Sequence, residues 1–188
     1  MSTKDAMVAA AADLLDEAGP EAVTLRAIAQ RVGVSHNAPY KHFADKEALL
    51  AAVAARELKR RAAAAPKPGT DALAELKRMA LEHVRWAARH PARFKLTFGS
   101  WTRDDAELGA AAHEARVRFV DAVAAAQTAG ALPVGDPERV SALLLALGHG
   151  AADLALGGHL SREGKGHADP EDLLDDLFAL FAKAEAKR

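Results

Sequence analysis

Residues 24–49 read TLRAIAQRVGVSHNAPYKHFADKEAL and carry the strongest structural signal in the chain. Apolar residues there repeat at the i, i+3, i+4, i+7 spacing of one buried helical face: Leu25, Ile28, Ala29 and Val32. Thr24 precedes that face and can cap its exposed amides. Gly33 follows it, and glycine reaches positive φ without steric cost, so the chain can turn sharply there. The pattern predicts a short helix that ends in a tight turn.

A second short helix is expected directly after the turn. From His36 to His42 the side chains are polar or small, apart from Tyr40, so this helix has little to bury. Pro39 belongs in its first turn, because an interior proline removes an amide donor and clashes with the preceding turn. Phe43 is the expected anchor into the core. Two helices at a tight turn, the second with a polar exposed side, are typical of a helix-turn-helix that reads duplex DNA.

The charge distribution also favours DNA binding by this segment. The whole chain has a formal net charge of only −1, but residues 24–46 hold four cations against one aspartate. The cations are Arg26, Arg31, Lys41 and Lys46. A basic edge on an otherwise acidic chain directs that edge toward phosphates.

The end of this segment carries a longer signature, Tyr40-Lys41-His42-Phe43-Ala44-Asp45-Lys46-Glu47-Ala48-Leu49. It resembles the Tyr-x-His-Phe-x-x-Lys-x-x-Leu motif of the TetR family of bacterial transcriptional regulators. The resemblance covers about the first third of the chain and includes an upstream helix with an apolar stripe of Val8, Ala11, Leu15 and Ala18.

The resemblance implies an all-α fold of about nine helices. Residues 1–48 would form a three-helix, helix-turn-helix DNA-binding domain, and residues 49–188 a larger helical domain for ligand binding and dimerisation. The second domain resembles a subgroup with a Trp-His-Gly triplet, which stands here as Gly148-His149-Gly150. The segment His90 to Phe98 is also similar to that subgroup.

Ten residues are expected to contact DNA. They are Thr24, Arg26, Ser35, His36, Asn37, Ala38, Tyr40, Lys41, His42 and Lys46. Lysine and tyrosine suit phosphate contacts, and asparagine suits the edge of adenine. For His36 and Asn37, simple capping beside Ser35 is the alternative.

Two later helices open with the same device, Asp136-Pro137-Glu138 and Asp169-Pro170-Glu171, and a mobile loop is expected between them, from 157 to 168. Both helices are apolar around much of their circumference, which predicts a four-helix interface between two copies of the chain. The interface residues would be Val140, Leu143, Leu144, Leu147, Leu173, Leu177, Phe178 and Phe181. The alternative is a thick core within one chain.

A mostly apolar effector pocket is expected in the second domain. Its candidate lining is Met79, His83, Trp86, Phe94, Phe98, Trp101, Phe119, Val123 and His149. His149 and Asp153 are one helical turn apart, and one hypothesis is that they pair and so orient the imidazole toward a ligand. The favoured alternative is that His149 is an ordinary core histidine. The eight histidines raise a metal-sensing alternative, although no single helix shows metal-ligand spacing.

Composition narrows the function classes. The chain has no cysteine, no glycine-rich phosphate loop and no nucleophile elbow, so neither an enzyme nor a cofactor is expected. No signal peptide is evident, and His149 and Asp153 interrupt the most apolar run, so no membrane contact and a cytoplasmic location are expected. The sequence predicts a homodimeric, ligand-responsive repressor on a palindromic operator. A ligand-independent DNA-binding protein is the main alternative.

Overall fold

The computed structural model describes residues 2–64, 71–102 and 104–185, the last four of these by backbone alone. Within them the chain forms eight α-helices: α1 Thr3–Ala18, α2 Leu25–Val32, α3 Lys46–Ala63, α4 Ala72–Arg89, α5 Pro91–Thr97, α6 Ala106–Thr128, α7 Pro137–Leu156 and α8 Pro170–Glu185. Two short 3-10 helices span Pro20–Ala22 and Pro39–Lys41. The only strand-like feature among the described residues is one isolated bridge between Ser161 and Gly166. The all-α prediction is confirmed.

Helix starts follow from side-chain caps. The carboxylate or hydroxyl oxygens of Thr24, Asp45, Asp136 and Asp169 accept hydrogen bonds from the backbone N–H groups of Ala27, Ala48, Glu138 and Glu171, at 3.1, 2.9, 3.0 and 2.9 Å. Such caps satisfy amides that the first turn of a helix leaves without an intrahelical partner.

The described chain divides into two compact units. The first consists of Met1–Arg61 and His90–Ala115, and the second of Ala62–Arg89 and Arg116–Arg188. The helix-turn-helix therefore shares its unit with α5 and the start of α6. The predicted boundary at residue 48 separates domains by function rather than by packing, and it stays a prediction.

The core of the first unit lies between α1, α2 and α3. Its largest buried members are Met7, Leu15, Val23, Ile28, Phe43, Leu49 and Val53. Ala92 and Leu96 of α5 pack against this same cluster, so α5 contributes to the core of the DNA-binding helices. Ala18, which we expected on the buried stripe of α1, is exposed.

The core of the second unit is formed by α4, α6, α7 and α8. It contains Leu76, Ala122, Val123, Ala126, Leu132, Leu144 and Phe178. Helix α4 packs against both α7 and α8.

Residues 157–168, expected as a mobile loop, contain a hydrogen-bonded turn, and their mobility stays a prediction. The Ser161 N–H donates to the Lys165 carbonyl at 3.0 Å. Arg162 donates to both carboxylate oxygens of Asp172 on α8, at 2.9 and 2.8 Å. These contacts connect the turn to α8, which sequence periodicity does not reveal.

Helix α7 is, by length and composition alone, long and apolar enough to cross a membrane. This differs from the expectation based on His149 and Asp153. Core helices of water-soluble proteins pass the same test, and α7 buries Leu144, Ala151 and Ala152 within its own unit. The packing therefore accounts for part of its apolar character.

Candidate nucleic-acid interface

The predicted turn between the first two helices of the motif is present. Gly33 adopts a left-handed conformation, with φ 76° and ψ 33°. Its N–H donates to the Gln30 carbonyl at 3.2 Å, and the Val34 N–H donates to the Ala29 carbonyl at 3.0 Å. Val34 is half-buried against the core of the first unit, as expected of the residue that fills the angle of the turn.

The second helix of the motif differs from the prediction. Instead of a regular helix from about His36, residues 36–38 form a turn and Pro39–Lys41 form a 3-10 helix. The Ala38 N–H donates to the Ser35 carbonyl at 2.9 Å. Proline has no N–H to offer that carbonyl, so the i→i+3 bond replaces the α-helical one.

Buried residues fix this segment from within. Pro39 is among the fully buried side chains of the chain, and Phe43 is 3% exposed. Tyr40, between them, is 61% exposed. Ser35, His36, Asn37, Lys41 and His42 are exposed as well, and Ala38 is half-buried. The segment therefore presents a polar surface on a buried frame.

The other predicted DNA contacts lie on the same unit. Thr24 and Arg26 are exposed at the start of α2, and Lys46 is half-buried at the start of α3. Lys46 Nζ lies 3.7 Å from Glu21 Oε2. This carboxylate precedes the basic segment in sequence, so counting charges from Thr24 onward missed it.

A second cation of the segment is also paired. Arg31 donates to both carboxylate oxygens of Glu17, and one of these bonds measures 2.8 Å. The hydrogen bonds that Arg31 donates to Glu17, together with the negative charges of Glu17 and Asp13, raise the pKa of Arg31. Two of the four cations thus lie beside carboxylates, so the positive character of the edge is concentrated at Arg26 and Lys41 more than the sequence count indicates.

The exposed edge offers hydrogen-bond donors of the kinds that duplex DNA accepts. Lysine, arginine and tyrosine donate to phosphate oxygens, and an asparagine amide matches the donor and acceptor pattern of adenine. The individual contacts of the ten residues with DNA stay predictions.

The candidate pocket residues are divided between the two units. The first unit holds Phe94, Phe98 and Trp101, and the second holds Met79, His83, Trp86, Phe119, Val123 and His149. Within the units, Phe94 and Val123 are fully buried and serve the cores. The residues thus do not form one cluster within either unit, and the pocket stays a prediction.

Two imidazoles meet within the second unit. His83 is buried, and the centroid of its ring lies 5.9 Å from the ring centroid of His149 on α7. Gly148 lies beside them: a Cβ there would be 3.8 Å from His83 Cδ2. Asp153, the partner we expected for His149, is exposed.

Among the described residues, no three His, Cys, Asp or Glu side chains are placed to hold a metal ion. The metal-sensing alternative therefore gains no support from these side chains.

The predicted interface residues fall into three groups. Leu143 and Leu147 are exposed, at 71% and 39%, while Val140, Leu173, Leu177 and Phe181 are half-buried. Leu144 and Phe178 lie in the core of their own unit, so their assignment to the interface is corrected. Three exposed apolar residues that we did not name lie on the same two helices: Leu145, Leu154 and Leu180.

Sequence reasoning missed a buried ionic cluster in the first unit. Arg93 of α5 donates to Asp16 Oδ2 of α1 through Nε at 2.8 Å and to Glu57 Oε1 of α3 through Nη1 at 3.2 Å. His90 Nδ1 lies 2.6 Å from the same Asp16 oxygen. Burial alone lowers the pKa of Arg93, but the hydrogen bonds and charges of Asp16 and Glu57 outweigh it, and the pKa is raised. The partners are far apart in sequence, so no local pattern signals them.

Comparison with known proteins agrees with this geometry. Residues 7–53 match the family described as bacterial regulatory proteins, tetR family, and residues 76–181 match the tetracyclin repressor-like C-terminal domain. A stretch of 48 residues is 48% identical to the tetracycline repressor protein class A from transposon 1721 of Escherichia coli. That stretch is 26% of this chain and spans about a fifth of the relative, 22% of its length.

Solved structures match over nearly the whole chain. A protein of unknown function from Rhodococcus sp. RHA1 is 30% identical with a TM-score of 0.79, over 98% of this chain and 95% of that one. A transcriptional regulator of the TetR/AcrR family from Thermobifida fusca is 24% identical with a TM-score of 0.64, over 95% of each chain. The chain belongs to the TetR family of bacterial regulatory proteins and is a DNA-binding transcriptional regulator.

Proposed function

We propose that this chain is a ligand-responsive repressor that binds an inverted-repeat operator as a homodimer. The observation that carries the proposal is the exposed polar surface of residues 35–42, a segment that contains buried Pro39 and is followed directly by buried Phe43. Arg26 and Lys46 lie on the same unit. Residues of this kind read bases and hold phosphates, whereas the buried pair keeps the segment in one place.

The apolar surface of α7 and α8 supports pairing of two chains. Leu143, Leu147 and Leu154 are exposed on α7, and Leu180 is exposed on α8. Leu143, Leu147 and Leu154 recur at i, i+4 and i+11 on one face of α7, and exposed apolar faces are typical of an interface. Two recognition segments related by a twofold axis would contact half-sites about 34–36 Å apart, which is why the operator is expected to be an inverted repeat.

The interior of the second unit supports a small-molecule effector. Its helices pack apolar residues near the adjacent imidazoles of buried His83 and half-buried His149, and apolar surface with a few polar groups is typical of ligand sites. Such an effector would release DNA if it binds most tightly to the dimer conformation in which the two DNA-binding units no longer match the half-sites of the operator. We propose that α3, which begins at Lys46 shortly after residues 35–42, transmits this change to the DNA-binding segment.

This function assigns the chain neither a catalytic step nor a cofactor. Because its target would be chromosomal or plasmid DNA of a bacterium, we place the protein in the cytoplasm.

The first test is selection of genomic fragments by the purified chain, followed by comparison of two variants on the selected duplex. We expect Lys46→Ala to weaken binding to all sequences and to lower the slope of log K against log salt by about one per subunit. We expect Asn37→Ala to change which base is preferred at one position, at a cost of about 1–3 kcal/mol on the preferred duplex.

Lys165→Ala, in the exposed turn before α8, is the matched control for loss of one positive charge. It should leave both the affinity and the salt slope unchanged. Equal, sequence-independent losses in the Lys46 and Asn37 variants would contradict the division into phosphate and base contacts. Absence of any enriched inverted repeat would contradict the proposed function as a whole.

A further inference from the structure

The ionic cluster of Asp16, Glu57, His90 and Arg93 connects parts of the chain that belong to different family matches. Asp16 and the first residues of α3 lie in the stretch that matches the DNA-binding family, and Arg93 lies in the stretch that matches the C-terminal domain. By packing, however, all four residues belong to the first unit. The DNA-binding helices therefore have a fixed attachment to a segment of the C-terminal domain.

The geometry of this attachment depends on the shape of the guanidinium. Through Nε and Nη2, Arg93 donates twice to Asp16, and through Nη1 it donates once to Glu57. The planar fork thus contacts α1 on one edge and α3 at another nitrogen. A lysine ammonium is a point charge and cannot reproduce that arrangement.

Burial makes the attachment stiff. The side chains of Arg93, Asp16 and Glu57 are only 10%, 20% and 3% exposed. Charged hydrogen bonds out of water are short and directional, and moving α5 against α1 or α3 would leave a buried charge without its partner. Beside the charges, Ala92 and Leu96 of α5 pack into the core of the same helices.

We propose that Arg93 is a positioning residue for DNA binding, which fixes α1 and α3 on α5 and thereby sets the half-site spacing that the dimer accepts. It touches no DNA in this role and acts through the helices that flank the recognition segment. The inference rests on the proposed function, because spacing has meaning only for a dimer on an inverted repeat. Helix α5 follows α4 of the second unit after a single residue. A dimer in which α1 and α3 can shift against α5 would accept half-sites at more than one separation.

The test compares full-length wild-type protein with Arg93→Lys on three duplexes. These carry the selected inverted repeat at its own spacing and with 1 or 2 base pairs inserted at the centre. For the wild type, an insertion of 2 base pairs should weaken binding by about 10-fold or more, because it rotates and displaces one half-site. For Arg93→Lys the same insertion should cost less than about 3-fold.

A ratio between duplexes separates positioning from folding. Partial unfolding lowers the amount of active protein equally for all three duplexes, so it leaves the ratio unchanged. The triple variant Asp16→Asn, Glu57→Gln, Arg93→Met removes all three charges without leaving an uncompensated carboxylate, and it replaces Arg93→Lys in the test if that variant is unfolded by circular dichroism. Arg89→Lys is the control, because Arg89 pairs with Glu82 on the surface of the other unit.

Two results would overturn the inference: a wild-type spacing ratio in the folded Arg93 variant, with or without loss of overall affinity, or the same broadened ratio in Arg89→Lys. If the wild type itself shows no spacing preference, the proposed function fails before the inference is reached. A narrow ratio in the wild type and Arg89→Lys, together with a broad ratio in the Arg93 variant, supports it.

Discussion

Residues 90–115 bridge α1 and α3 twice, and the two bridges have opposite charge. Arg93 holds one carboxylate on each helix, Asp16 and Glu57. Glu107, at the start of α6, holds one lysine on each helix: Lys4 Nζ at 2.9 Å and Lys59 Nζ at 2.7 Å. The connectivity is the same, so burial is what distinguishes the two bridges.

Burial changes what each bridge contributes. Arg93 and Glu57 are nearly inaccessible to solvent, while the side chains of Glu107, Lys4 and Lys59 are 44%, 41% and 50% exposed. A buried pair is costly to break because the remaining charge has no water to solvate it, and an exposed pair is exchanged for hydration at little cost. The comparison teaches that equal numbers of ion pairs need not have equal structural consequences.

The largest expected effect is that of Arg93→Met. It leaves Asp16 and Glu57 without their common counter-charge, and we expect the free energy of unfolding to fall by about 3–5 kcal/mol. Urea denaturation of wild type and variant at one chain concentration measures it. A loss of less than about 1 kcal/mol, the size expected for an exposed pair, would break the comparison.

Glu107→Gln should have a much smaller effect. It removes both lysine pairs but leaves no buried charge, so we expect a loss of less than about 1 kcal/mol. At about 1 M salt, where the Debye length is about 3 Å, this difference from wild type should shrink further, whereas that of Arg93→Met should persist. A loss for Glu107→Gln equal to that for Arg93→Met would show that burial is not the deciding variable.

The smallest effect concerns pH. Hydrogen bonds from Lys59 and Lys4 hold the pKa of Glu107 below its ordinary value of 4.5. The folded state then binds that proton less readily than the unfolded state, so the contribution is fully present above pH 4.5 and is lost as pH falls through the lower, folded pKa. The stability difference between wild type and Glu107→Gln should therefore be constant near neutral pH and decline in acid. A difference that grows on acidification would reverse the assigned direction.

Local chemistry explains which features could be predicted from the sequence. Thr24, Asp45 and Asp136 cap helices where their side chains and the following residues indicated, and Gly33 adopts the left-handed turn that only glycine adopts without strain. Each of these depends on neighbours within a few residues. The exposure of the polar residues around Tyr40 was predictable from their composition for the same reason.

Features that depend on distant partners could not be predicted in this way. Arg93 and Asp16 are 77 residues apart, and nothing near either one indicates the other. Leu143 and Leu144 are adjacent residues of the same type, yet Leu144 is 7% exposed and Leu143 is 71% exposed. The packing of α7 against other helices decides which side of the helix is buried. Pro39 indicated that residues 36–42 would not form a regular helix throughout. Whether it would begin an α-helix or a 3-10 helix was not evident from the sequence, because its buried position depends on tertiary packing.

Within residues 35–43, the side chains that fix the backbone are different from the side chains that are exposed to solvent. Pro39 and Phe43 are buried and hold the backbone from inside, whereas the side chains of His36, Asn37 and Tyr40 are exposed. Replacing those three outward positions therefore leaves the core untouched. Under the proposed function, we expect exchange of these few side chains to change the operator preference while the stability of the protein is retained.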